Sequence, residues 1–361
     1  MSEKLNTRNS SIDLLKFIFV IAIALSHFSL THSADILKGG YVFIDGFFLI
    51  TGYFMMNYVN RSQETDLSKD TLKFIKHKYL SFALVLLASI TVLTSATIFL
   101  YRPTVNSILG NLVTLTTEIV PLQMAGIKGS ATTAVAWSLS AMMIALALLY
   151  PIARRTGTKF TRIICPMLAV LIYGVISLKN GNLNTINNGF FIIPVQSGLF
   201  RGMAGICTGC VLYDCVKSTE KFKTTLFGEV CFLGAELFSL ASIFVFAQFF
   251  PESYFDFYTL PFFFVLFYSC FGKKSVLTKR FSFSFTKYLS TAALIIYLVH
   301  NNWNYHSDLF DKPEIGSQLV LYLVMIIGSA TATALLIPVF RFIWKFAKGF
   351  LKKHFVGKQE A

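Results

Sequence analysis

Charge is the scarcest commodity in this sequence. Asp, Glu, Lys and Arg make up 14% of the 361 residues, and only 18 of those residues are acidic. An average soluble domain carries about 25%, so an ordinary soluble fold is excluded. Cysteine is sparse as well. The six thiols (Cys165, Cys207, Cys210, Cys215, Cys231, Cys270) fall inside apolar runs or at their inner ends and outline no disulfide framework. Cys207 and Cys210 have the spacing of a metal or redox pair, yet no second pair or nearby histidine completes a site, so no metal is expected. Internal repeats, heptads and low-complexity tracts are missing, as is a clean cleavage site after the first apolar run, which is therefore expected to be retained. The net charge of +14 sits in short loops between apolar runs and not on a face interleaved with aromatics, which argues against a nucleic-acid partner.

What is present is apolar length. The chain is 55% hydrophobic with 38 Phe and a mean hydropathy of +0.62. Runs near the ~20 residues that a spanning helix needs fall at 12–32, 41–59, 79–101, 137–153, 163–178, 190–213, 227–249, 257–272, 288–303 and 317–340. The expected fold is therefore all-α: a polytopic membrane protein of about ten transmembrane helices, one integral membrane domain over residues 1–361. With the N-terminus inside, 25 of the 32 Lys and Arg fall in inner segments, five in outer segments and two, Lys16 and Arg201, within spans. This positive-inside bias places both termini in the cytoplasm. The moderately apolar stretch Ile108 to Gln123 is expected to be a surface or re-entrant segment, since an extra crossing there would send the basic tail outside.

Ionisable groups inside spans mark candidate functional positions. Lys16 and His27 share the first span; eleven steps of ~100° return to within ~20° of one face, at a rise of roughly 16 Å. One helix face thus presents a cation near the cytoplasm and an imidazole near the outside. Asp45 enters the second span at a depth similar to His27, where a carboxylate orients an imidazole and raises its basicity; the alternative is a carboxylate favoured at its helix start. Gly46 and Gly52 around it permit close helix approach. Arg201 and Glu236 lie near the middle of consecutive spans and are expected to pair, with anion binding by Arg201 as the second reading. His300 follows Tyr297 by three residues and faces the same compartment as His27.

These residues resemble the membrane acyltransferase 3 family. Ile12-Asp13, then Lys16, then ten residues, then His27 is similar to the family's opening. The segment Asp45-Gly46-Phe47-Phe48-Leu49-Ile50-Thr51-Gly52 resembles its Asp-x-Phe-Phe-x-x-Ser-Gly signature. Trp137-Ser138-Leu139 and Tyr297-Leu298-Val299-His300 are similar to its Trp-x-Leu and late Tyr-x-x-His. Lys16 stands where the family usually has Arg, Thr51 replaces a Ser, and Met142 stands where a Glu is common. The resemblance implies an O-acyltransferase of a multi-pass bacterial plasma membrane, working in the bilayer. Its donor would be cytoplasmic acetyl-CoA or another acyl-CoA, and its acceptor a saccharide hydroxyl on the outer side. On that reading His27 and Asp45 are catalytic, with His27 either deprotonating the acceptor or carrying the acyl group. Lys16, Lys76 and Lys78 hold the donor's phosphates, and Trp137, Tyr297, His300 and Arg201 line the substrate. The rival readings are a secondary transporter or flippase, which buried charge also marks, and a sensor or accessory subunit of a glycan machine.

The charge asymmetry generates a direct test. Tags at 65, 158, 220, 278 and 355 should report the cytoplasm, while cysteines introduced at 35, 183, 253 and 308 should react with an impermeant reagent from outside. Protection at 183 and 253 with labelling at 35 would mean that an odd number of spans lies between them.

Overall fold

The computed structural model describes residues 8–127, 133–186, 196–305 and 314–351. Helix follows helix: α1 Ser10–His32, α2 Phe43–Val59, α3 Leu67–Tyr101, α4 Val105–Ile119, α5 Trp137–Thr156, α6 Cys165–Asn180, α7 Ser197–Ser218, α8 Leu226–Phe249, α9 Phe255–Gly272, the short α10 Val276–Arg280, α11 Thr286–Val299 and α12 Ile315–Leu351. Among the described residues, nine helical stretches are long and apolar enough to cross a membrane. The tenth expected span is α11, whose 14 residues run on through a 3-10 turn, His300–Tyr305. At ~1.5 Å per α-helical and ~2.0 Å per 3-10 residue the two together reach the ~30 Å hydrocarbon thickness. The first part of the sixth expected span, 190–195, lies outside the described residues.

Two boundaries differ from the hydropathy reading. Helix α3 starts at Leu67, twelve residues before the apolar run, because Asp66 caps it by accepting from the Ser68 and Lys69 amides. Lys69, Lys73 and Lys76 then continue the helix beyond the apolar section. Helix α12 likewise outlasts its apolar run by a basic extension. Hydropathy sees only the part of a helix that needs lipid, whereas hydrogen bonding continues into water.

Cross-helix bonds join residues that an alternating traverse puts at one depth. At the basic end Arg154 Nη2 on α5 donates to Glu64 O at 2.7 Å, and Asn9 Nδ2 donates to Cys270 O at 2.8 Å. At the opposite end Tyr322 Oη on α12 donates to Ala24 O at 3.1 Å, and the Gly39 amide donates to Ala247 O at 2.8 Å. Helix α4 does not cross: the Tyr79 hydroxyl of α3 donates to Ile119 O at 2.9 Å, and just beyond the helix the Met124 amide donates to Ser140 Oγ in the first turn of α5 at 3.0 Å. Residues 103–127 thus fold back along α3 and come against the first turn of α5 at Met124.

The tightest seam is α2 against α7, and glycine makes it. A Cβ on Gly52 would lie 2.0 Å from Ile206 O, and one on Gly209 would lie 2.0 Å from Leu49 O. The two backbones touch where lipid offers no hydrophobic drive to hold helices together, so van der Waals contact must do it. Replacing either glycine by Leu should force the helices apart; overpacking of this kind costs about 1–3 kcal/mol or more. A melting temperature of the detergent-purified Gly52→Leu and Gly209→Leu proteins equal to wild type would refute the seam.

Candidate functional site

Two parallel helices build the centre of the molecule. On α1, Lys16 and Val20 face a cavity of about 300 Å³, and on α11 the stripe Ser290, Ala293, Leu294 and Tyr297 faces the same space. Both stripes follow the i, i+3, i+4 rule for one helix face. Continued toward the outer end, the first reaches His27 and the second His300, and the two imidazole rings meet at 5.2 Å between centroids. The expected same-face relation of Lys16 and His27 is therefore realised. The described cavity wall ends at Ser138 and Tyr297, with the Tyr297 ring 5.8 Å from that of His300.

The remaining walls come from α2, α3 and α5. Helix α2 runs antiparallel to α1 and lines the cavity with Ile44, Phe47, Phe48, Ile50, Thr51 and Phe54. Phe54 lies beneath the ammonium of Lys16, 5.6 Å from Nζ to the ring centroid. Lys78 on α3 lines the same basic end, whereas Lys76 is exposed and contributes nothing to the wall. Residues two apart on a helix point in nearly opposite directions, so Lys78 faces the cavity and Lys76 faces away from it. Met142, standing in place of a family glutamate, makes its stretch of wall apolar and receives the Thr51 hydroxyl on Sδ at 3.7 Å.

The histidine pair has an asymmetric hydrogen-bonding state. His300 is fully buried, and its Nδ1 lies 3.1 Å from Ile296 O, which only an Nδ1–H can satisfy. That fixes the lone pair on Nε2, which has no protein partner among the described residues. His27 is half-buried, and no hydrogen bond to its ring occurs among the described residues. Two imidazoles with open nitrogens at one end of a cavity, and two ammonium groups at the other, can move a proton at one end and hold an anion at the other.

Asp45 corrects one expectation. Its carboxylate is bound by Arg201 and does not orient His27: Nη2 is 2.6 Å from Oδ2, and Nε is 3.2 Å from both oxygens. Arg201 Nη2 also donates to Tyr41 O at 2.8 Å, and the Tyr173 hydroxyl reaches Asp45 Oδ1 at 3.5 Å. Both charged side chains have 0% exposure. The expected Arg201–Glu236 pair is overturned for the same reason. Helix α7 turns its Arg201 face to α2, while Glu236 on α8 is satisfied by the hydroxyls of Ser269 and Ser275. Consecutive spans need not be partners; the glycine seam sets α7 against α2 instead. Trp137, expected at the substrate, is buried with its ring 6.0 Å from the Arg201 guanidinium and 6.4 Å from the Phe48 ring, outside the cavity wall. Arg201 itself is too enclosed to line that wall.

Several residues of the site gave no signal in the sequence. Tyr173 and Tyr41 were not singled out as site residues, and Ser138 entered only as the middle of Trp137-Ser138-Leu139. The Ser138 hydroxyl is 2.7 Å from that of Tyr297, which also donates to Val135 O at 3.1 Å, so the end of the cavity is pinned from α5. Asp70 was not singled out either. It is fully buried, 2.6 Å from Ser62 Oγ, 2.7 Å from Tyr150 Oη and 2.8 Å from Arg154 Nε, and it ties α3 to α5 at the basic end.

Removing one partner of a buried ion pair strands the other charge, at about 3–5 kcal/mol. Asp45→Leu and Arg201→Met should each sharply reduce folded protein, and the double variant should recover much of the loss. Glu236→Gln, which keeps an acceptor for Ser269 and Ser275, should fold nearly as well as wild type. Yields by size-exclusion chromatography decide the matter: a double variant no better than either single would refute the pairing.

Comparison with known proteins adds one match. A family model described as an acyltransferase domain covers residues 9–339. No curated protein and no solved structure matches the chain.

Proposed function

Because the chain belongs to the membrane acyltransferase 3 family, we propose that it moves an acetyl or other short acyl group from cytoplasmic acyl-CoA to a hydroxyl of a surface or exported saccharide, in the plasma membrane of a bacterium. The observation that carries this reading is the cavity with a cation at one end and imidazoles just past the other. Lys16 and Lys78 converge on its basic end, the side that the positive-inside bias assigns to the cytoplasm. Ammonium groups there suit the phosphates of the donor's nucleotide. From Ser290 to Tyr297 the wall rises ~10 Å, and from Lys16 to His27 ~16 Å, a reach that suits an extended pantetheine arm. The apolar middle, formed by Val20, Ile44, Phe47 and Met142, accepts a thin uncharged chain and gives no support to bulk water.

The chemistry falls to the histidines. The acceptor oxygen attacks the thioester carbonyl, the C–O bond forms and the C–S bond breaks; His27 takes the hydroxyl proton and returns it to the departing CoA thiolate. Neither ring nitrogen of His27 is committed to a described protein group, which suits a general base that must release what it takes. His300, held as the Nδ1–H tautomer by Ile296 O, presents a second lone pair beside it. Asp45 acts at a distance in this scheme: with Arg201 it fixes the start of α2, and through α2 the Phe47–Phe48 wall. Its role is positional, and the imidazole's proton acceptor is not a carboxylate.

Losses at the two ends should differ in kind. His27→Ala should lower kcat for acetyl transfer by about 10²–10⁴-fold while donor affinity changes little. Lys16→Ala should raise the KM for acetyl-CoA about 10-fold, and Lys16→Arg should keep most of the wild-type value because the cation stays. Radiolabel transfer in membranes with matched expression reads both. An active His27→Ala enzyme would end the catalytic assignment, and an unchanged donor KM in Lys16→Ala would remove Lys16 from the donor site.

A further inference from the structure

Two buried hydroxyls close the cavity beside the histidines, and the transfer scheme leaves them without a chemical task. Ser138, in the first turn of α5, and Tyr297 of α11 both line the wall. Tyr297 stands three residues before His300, the spacing of neighbours on a helix surface, and the two rings are 5.8 Å apart. The ring of His27 lies 5.2 Å from that of His300. A pantetheine arm laid along the wall from Lys16 therefore brings its thioester carbonyl to a phenol and to imidazoles at the same place.

The hydrogen bonding of these hydroxyls is redundant. Ser138 Oγ is 2.7 Å from Tyr297 Oη, Tyr297 Oη is 3.1 Å from Val135 O, and Ser138 Oγ is 3.2 Å from the same carbonyl. Two hydroxyls carry two protons, so one of the three contacts always lacks one. Val135 O depends on neither hydroxyl, because the Trp137 amide donates to it as well. Turning the phenol proton from Val135 O into the cavity therefore strands no buried atom. Ser138, still donating to Tyr297 Oη, polarises the phenol and strengthens it as a donor. The Phe47 ring, 6.4 Å from that of Tyr297, keeps this end of the wall apolar. A donor fixed in such a water-poor space stabilises developing charge more than one in water does.

Resting on the function proposed above, we infer that Tyr297 is a catalytic residue that stabilises the oxyanion of the transfer step, with Ser138 as its positioning residue. The acceptor oxygen adds to the thioester carbon, and the carbonyl electron pair moves onto its oxygen, which receives the Tyr297 hydrogen bond. The C=O bond then re-forms, the C–S bond breaks, and the hydroxyl proton passes by His27 to the CoA thiolate. The phenol keeps its own proton throughout.

The experiment uses full-length protein in native membrane vesicles with radiolabelled acetyl-CoA, reading both released CoA thiol and label in saccharide against vesicles that lack the protein. Tyr297→Phe keeps the ring and removes the donor. It should lower kcat about 10²–10³-fold while the KM for acetyl-CoA holds, and CoA release and saccharide label should fall in proportion, because the oxyanion forms whichever oxygen attacks. Ser138→Ala should lower kcat by up to about 10-fold. A Tyr297→Phe protein with wild-type kcat would overturn the inference, as would one whose loss lies in KM alone. Fluorotyrosine installed at position 297, a more acidic phenol of nearly the same shape, covers the case in which the Phe variant fails to fold. Assayed below neutral pH, where it stays protonated, it should exceed the wild-type single-turnover rate; a rate equal to or below wild type would mean a merely structural hydroxyl and overturn the inference. Wild-type vesicles that release no CoA would instead overturn the acyl-transfer reading, and this assignment with it.

Discussion

The buried ion pair between Arg201 and Asp45 is the constraint on which the arrangement depends. Two charges with no exposure are stable only if each satisfies the other in good geometry, since the desolvation cost of either alone is several kcal/mol. The guanidinium spends Nε and Nη2 on one carboxylate and on the Tyr41 carbonyl, and the Tyr173 hydroxyl adds a longer contact from α6. This cluster therefore locks α2, α6 and α7 at one depth and in one rotation. Helix α2 has its cavity-facing residues between Ile44 and Phe54, so a small rotation about that pair would turn Phe47, Phe48 and Thr51 out of the wall.

Around this anchor the molecule solves two opposed problems. Its helices must pack tightly enough to seal the bilayer while keeping a cavity of about 300 Å³ open among them. The basic end is tied by Asp70 to Ser62, Tyr150 and Arg154; the outer end by Tyr41, whose hydroxyl donates to Asp256 Oδ2 at 2.7 Å and accepts from the Glu252 amide at 2.7 Å. Between them lies a cavity lined mostly by apolar side chains, with Lys16 and Lys78 at its basic end.

Much was legible in the residues themselves. Lys16 and His27 fall on one stripe because helix geometry requires it, whatever else surrounds them, and Gly52 turned out to be needed where the sequence placed it. Two readings that failed were statements about which helices are neighbours. Asp45 was assigned to His27 because they share a depth, and Arg201 to Glu236 because their helices are consecutive; depth and order are one-dimensional, and the contacts are lateral. Lys76 failed for a simpler reason, since its phase on α3 opposes that of Lys78. The partnership of His27 with His300 joins residues 273 positions apart and is invisible to any local pattern.

The sequence alone determined the number of crossings and, through the placement of 25 basic residues, their expected direction. Both follow from the free energy of moving each segment between water and lipid, which is local to the segment. It also placed Lys16 and His27 on one face of α1. Only the tertiary structure decided the partners: that Arg201 neutralises Asp45 and not Glu236, that residues 103–127 turn back along α3, and that the His-Asn-Asn-Trp-Asn turn is buried beside His27. In lipid, helices are chosen by close packing and by the need to satisfy every buried polar atom. Those conditions depend on all the helices at once, so no single segment of the chain contains the answer.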